Sequence, residues 1–201
     1  MEIRLCDETD VGFGWIAAEP AYMERASHAL VDGRRVWLLD PVDGDGLDAR
    51  IRALGEPAGV IQLLDRHGRD CAALAERYGV PHHVVPFDGV PASPFDALRI
   101  VRIPRWREVA VWWPARRVLV AADAVGTTRY FRAPGETLGV HPLLRLFPPR
   151  VLAGLEPEHV LCGHGEGLHG PDAASVLREA LACARRRFPS WLAGLARSGR
   201  G

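Results

Sequence analysis

The stretch Val60-Ile-Gln-Leu-Leu-Asp-Arg-His-Gly-Arg-Asp-Cys71 decides how this chain is read. Its first five residues form a short, largely apolar run, the pattern of a buried strand. A charged loop follows. Asp70 then opens a helix expected over residues 70–78, with Gly79 placed to end it in a left-handed conformation.

The flanking sequence extends this pattern. Residues 27–31 and 35–40 are apolar runs around Asp32-Gly33 and read as a β-hairpin. Residues 46–54 put Leu47, Ile51 and Leu54 on one helical face. Strands are expected over 82–85, 98–103, 108–113, 117–122 and 159–162, with a turn at Pro114-Ala-Arg-Arg117. A loop rich in proline and glycine covers 86–94, and 126–139 is irregular. Residues 143–155 read as a helix interrupted by Pro148-Pro149. A helix starts at Pro171 and is expected to reach Phe188. This order describes one layered α/β or α+β domain over residues 1–201, with a frayed tail at about 196–201.

Composition narrows the function. The chain has 201 residues, 48% of them hydrophobic and 25% charged, the profile of a single globular domain with a sizeable core. Formal net charge is zero, which gives no footprint for nucleic acid or an anionic membrane. No run approaches a membrane span, and the acidic start Met1-Glu-Ile-Arg-Leu-Cys-Asp7 lacks the apolar core of a signal peptide. A cytoplasmic location is expected. All 25 basic residues are arginines, read as high-GC, bacterial coding bias. The absence of lysine excludes Schiff-base and P-loop chemistry. The four cysteines form no CxxC pair and are expected as free thiols.

Three segments together resemble the metallo-β-lactamase superfamily. The opening stretch is similar to that family's strand, HxHxDH loop and helix. Arg117-Val-Leu-Val-Ala-Ala-Asp-Ala124 looks like the strand that ends in a metal-bridging aspartate, with Ala122 in place of the usual glycine. Glu158-His-Val-Leu-Cys-Gly-His-Gly-Glu166 is similar to the late strand ending in GHG. The resemblance spans nearly the whole chain in the right order. It implies an α+β, four-layer αββα sandwich with a pocket at one sheet edge, where 66–71, Asp123 and His164 meet.

The resemblance also implies a ligand inventory, and here the chain departs from the family. With Asp70 at the motif aspartate, Arg66 and Gly68 occupy the two HxH positions and neither binds a metal. No histidine stands in 103–108, where the family has a later one; Trp106 is nearest. The first metal site keeps only Asp123. The second keeps Asp70, Asp123 and His164, with Cys71 replacing histidine, a set that can hold zinc or iron. A one-residue gap instead brings His67 near a ligand position. Each residue also has a plainer role: Asp70 as a helix cap, Cys71 as a small buried apolar side chain, Asp123 as a hydrogen-bond acceptor, and His164 as part of a tight turn.

The leading expectation is therefore a degenerate, metal-free site with no cofactor. In it an Arg66 or Arg69 guanidinium pairs with Asp70 or Asp123 in place of the metal. One alternative is a mononuclear hydrolase holding one zinc or iron ion on Asp70, Cys71, Asp123 and His164. Another is a pseudoenzyme that binds a small molecule or a partner, with Arg66, His67 and Arg69 in the pocket. Oligomeric state is not legible.

Overall fold

Asp32-Gly33 turns the chain as its composition demands: Gly33 takes a φ of 63°, and Asp32 stands opposite Arg35 across the hairpin. In the computed structural model, which describes residues 1–19 and 23–198, that hairpin is the centre of a six-stranded sheet. Its strands are β1 (Ile3–Thr9), β2 (Gly12–Ala17), β3 (Ala26–Asp32), β4 (Arg35–Leu39), β5 (Glu56–Gln62) and β6 (His82–Val84), in that order across the sheet. The first four run antiparallel; β4, β5 and β6 run parallel. Helices α1 (Leu47–Leu54) and α2 (Cys71–Tyr78) make the two crossovers.

The second sheet contains β7 (Asp96–Ile103), β8 (Trp106–Trp113) and β9 (Val118–Ala121). After a short ribbon of β10 (Val125–Gly126) and β11 (Gly139–Val140) come β12 (His159–Cys162) and β13 (Leu168–His169). The sheet order is β13-β12-β9-β8-β7, with β9 and β12 parallel. Helix α3 (Ala173–Ser198) follows.

Adjacent residues on the inner strands are buried on opposite faces. Leu39, Ile61, Val120 and Leu161 point between the sheets. Their neighbours Leu38 and Val60 pack under α1 and α2. Leu119 and Val160 pack under α3. Burial on both faces explains why these strands read as continuous apolar runs rather than alternating ones. The result is helix, sheet, sheet, helix: the metallo-β-lactamase-like αββα sandwich.

One element was not anticipated and two expectations change. The hairpin of β1 and β2 carries no strong strand signal because β2 contains Gly12 and Gly14, and glycine is depleted in strands. Packing requires both: a Cβ on Gly12 would lie 1.9 Å from the Ala29 carbonyl oxygen, and one on Gly14 would lie 2.9 Å from His28 Nδ1. The interrupted helix of 143–155 is two 3-10 turns, Pro142–Leu144 and Arg150–Leu152, because Pro148-Pro149 prevents continuation. Helix α3 passes Phe188, contains Pro189 and continues through Ser198; of the expected tail at 196–201, residues 199–201 lie outside the described residues. Among the described residues, no helix is long and apolar enough to cross a membrane.

Candidate metal centre

Parallel pairing directs four strand ends to one edge of the sandwich. Asp40 follows β4, the loop carrying His67 follows β5, Asp123 follows β9 and His164 follows β12. The carboxyl ends of parallel strands are where such sheets collect functional groups.

Three donor atoms converge there. His67 Nε2 and His164 Nε2 each lie 3.3 Å from Asp123 Oδ1, and 3.4 Å from one another. All three residues are buried. The far side of each ring is already engaged: His67 Nδ1 is 2.8 Å from Asp40 Oδ2, and His164 Nδ1 is 3.1 Å from the Met23 carbonyl oxygen. A carbonyl and an ionised carboxylate only accept, so both Nδ1 atoms carry the hydrogen. In the neutral rings both Nε2 atoms are bare lone pairs. Asp123 Oδ1 is likewise buried with no hydrogen directed at it.

Three lone pairs at the corners of a small triangle repel unless a cation sits among them. A proton joins one pair of corners, whereas a metal ion engages all three. Tetrahedral zinc with ligand bonds of about 2.0–2.1 Å has edges of roughly 3.3–3.4 Å, the triangle seen here. The residues therefore fit one ion.

A supporting shell fixes each corner. Asp40 Oδ1 accepts from Leu63 N at 2.7 Å while Oδ2 holds His67. Glu108 is fully buried; its Oε1 accepts the backbone N–H groups of Asp123 (2.9 Å) and Ala124 (2.6 Å), and its Oε2 accepts Trp106 Nε1 (3.1 Å). Burial, then the nearby Asp123 charge, push Glu108 up to about 7. The Phe131 ring stacks on His164 at 5.7 Å. For Asp123, burial acts upward, but the Nε2–H bonds and positive charges that His164 and His67 bring when protonated prevail and hold it well below the usual carboxylate range. Burial and the Arg69 charge act to lower His67; Asp40 and Asp123 outweigh them and the net shift is upward.

The residues singled out from sequence separate into two groups. His67, Asp123 and His164 meet, with Arg66 beside them: its Nη2 donates to Asp123 Oδ2 at 3.3 Å. Arg69 reaches no carboxylate. Its buried guanidinium donates to the carbonyls of Ala26 (2.5 Å), Asp40 (2.9 Å) and Gly163 (2.9 Å). The closed set Asp70–Cys71–Asp123–His164 does not assemble. Asp70 Oδ2 accepts the Asp43 N–H at 2.8 Å, and although Asp70 stands at the helix N-cap, its side chain caps no helical N–H. Cys71 turns into the apolar layer under α2, where burial pushes its thiol up and keeps it protonated. The cause is the loop: Arg69 takes a φ of 39°, and the guanidinium it buries lies between the strand ends.

Sequence reasoning assigned no role to Glu108, Tyr130 or His141, and used Asp40 only as a hairpin end. Glu108 ends the segment 103–108, which contains no histidine. His141 packs against Trp106 and Tyr130 at ring distances of 5.0 and 5.9 Å. Its Nδ1 accepts from Leu143 N, so its Nε2 carries the hydrogen of the neutral ring.

The sequence matches no family model and no curated protein. Solved structures do match. The DIM-1 metallo-β-lactamase superposes with a TM-score of 0.57 at 14% identity, over 92% of this chain and 98% of that one. A metallo-β-lactamase from Pontibacter korlensis gives 0.56 at 11%, over 90% and 99%. TTHA1623 in a di-iron-bound form gives 0.55 at 18%, over 79% and 93%.

Proposed function

We propose, from the metallo-β-lactamase fold of this chain, that it is a single-metal hydrolase rather than a conventional dizinc enzyme. His67, Asp123 and His164 are its metal ligands. The observation that carries this reading is the triangle of three hydrogen-free donor atoms, 3.3–3.4 Å on each edge. A divalent ion held there supplies a Lewis acid and activates water near neutral pH.

The chain's own residues set the conditions. Asp40 and the Met23 carbonyl hold the two histidines in the tautomer that exposes Nε2, the usual outer-shell device. Glu108 fixes the turn carrying Asp123. His141 holds a proton on Nε2 among the aromatic rings of Trp106, Tyr130 and Phe131, and is assigned here as the donor to a developing oxyanion.

A second reading is favoured by the Arg66–Asp123 pair and by the upward shift of His67. In it the site is metal-free: protonated His67 donates to Asp40 through Nδ1–H and to Asp123 through Nε2–H, and Arg66 supplies further positive charge. The chain is then a binding protein or pseudoenzyme. Metal analysis of tag-free protein decides. The proposal expects about one equivalent of zinc or iron, lost in His67→Ala and His164→Ala and kept in Cys71→Ala. Protein that holds no metal after supply of both ions overturns it in favour of the second reading.

A further inference from the structure

Arg66 stands at the mouth of the site with most of its hydrogen-bonding capacity unused. A guanidinium has five donors. Here one Nη donates to Asp123 Oδ2 and the other to the Arg105 carbonyl, each at 3.3 Å, beyond the 2.7–2.9 Å of a strong charge-assisted bond. The pairing with Asp123 is one-pronged rather than forked. The side chain is 46% exposed, so it is not sealed against the carboxylate. What fixes it is the face of Trp106, whose ring centre lies 5.1 Å below the guanidinium carbon. Among the described residues, the guanidinium held there keeps three of its five donors unused.

Charge points the same way. With an ion bound, Arg66, Arg69 and the ion outweigh Asp40, Asp123 and Glu108 even if all three carboxylates are ionised, so the cavity retains positive charge. Asp65, on the same loop, is turned to Arg107. A separate open cavity of about 390 Å³ is lined by Thr128, Arg129, Tyr130 and Arg132, with Glu24 as the acid on its wall. Arg129 has no acidic partner among the described residues.

We infer that Arg66 is the recognition group for an oxyanion, and that the substrate carries a carboxylate or phosphate next to the bond to be cleaved. This rests on the hydrolase reading above for the reaction, but not for the binding. The anion displaces the long contact to Asp123 and takes two parallel N–H groups of the guanidinium, freeing Asp123 Oδ2 as it enters.

The test uses the full chain loaded with zinc and desalted, titrated calorimetrically with inorganic phosphate and, separately, with acetate at low ionic strength. Wild type is expected to bind at least one probe at one site. Arg66→Gln weakens that binding tenfold or more, and Arg66→Lys, which keeps the charge without the fork, restores only part of it. Arg50→Gln, on the distant pair with Glu8, leaves it unchanged. Phosphate binding alone assigns a phosphoryl substrate and acetate binding alone a carboxylate; binding of both supports an oxyanion site that takes either. Zinc content is measured in every variant. Arg66-dependent binding without zinc retention supports the recognition group while the hydrolase reading falls. Equal binding by wild type and Arg66→Gln, or no binding of either probe by wild type, overturns the inference.

Discussion

Glu108 offers a demanding test of how the site is held. Its two oxygens have separate duties: Oε1 takes the N–H groups of Asp123 and Ala124, Oε2 takes the Trp106 indole. Glu108→Ala leaves three buried donors without an acceptor, each worth about 1–3 kcal/mol. A loss of roughly 4–7 kcal/mol is expected, a large part of the 5–15 kcal/mol that stabilises a typical domain. Glu108→Gln is different. Its carbonyl keeps both backbone N–H groups, while its NH2 faces the indole N–H, leaving one donor–donor clash of about 1–3 kcal/mol. That clash requires the indole N–H, so Glu108→Gln should be better tolerated by about 1–3 kcal/mol in a Trp106→Phe background than in wild type, whatever it gains in both backgrounds by removing a carboxylate that is ionised at pH 8. Urea unfolding of metal-free protein at pH 8 measures all four variants. If the glutamine variant costs as much as the alanine one, or if its effect on stability is the same with and without the indole, the division of labour between the two oxygens is wrong.

Other predictions follow from the same geometry. The native Glu108 sits near 7 and its unfolded value is near 4.5. The folded state then binds its proton more tightly, and stability falls by about 3 kcal/mol as pH rises through that window; Glu108→Gln should flatten the slope. His67 is shifted upward, so in metal-free protein its contribution is full below its unfolded value and is lost as pH rises through the folded one; His67→Gln should remove that dependence from urea midpoints. Asp40→Asn, which exchanges an acceptor oxygen for a donor NH2 or forces the amide to flip, should weaken ion affinity about 10–100-fold in competition with a chelator. Cys71→Ala should leave metal content unchanged and cost about 1–2 kcal/mol in stability, because its sulfur lies in the apolar layer and not at the triangle.

The sandwich was legible because its inner strands are buried on both faces and so appear as apolar runs such as Val118–Ala121 and His159–Cys162. The hairpin β1–β2 was not, since close packing of backbones imposed glycines that hide a strand. At the site, Asp123 and His164 were marked by the strands that end on them. The remaining corner was obscured because the loop after β5 has its own path. The motif spacing points to Asp70 and Cys71, yet the left-handed turn at Arg69 places His67 at the triangle instead. Asp40 and Glu108 act through hydrogen bonds across long sequence separations, which no local pattern records.

The guanidinium of Arg69 has one more implication. It ties the ends of β3, β4 and β12 by permanent positive charge to carbonyl oxygens, a bond set that no accessible pH removes. The frame around the triangle is thus braced before any ion arrives, and loading should involve little ordering of the backbone. Calorimetric heats of metal binding would then report ligand exchange and proton release with almost no folding component, and amide exchange near Ala26 and Gly163 should be the same in empty and loaded protein. The same brace constrains redesign: replacing Arg69 would remove a buried cation that donates to carbonyls of both sheets.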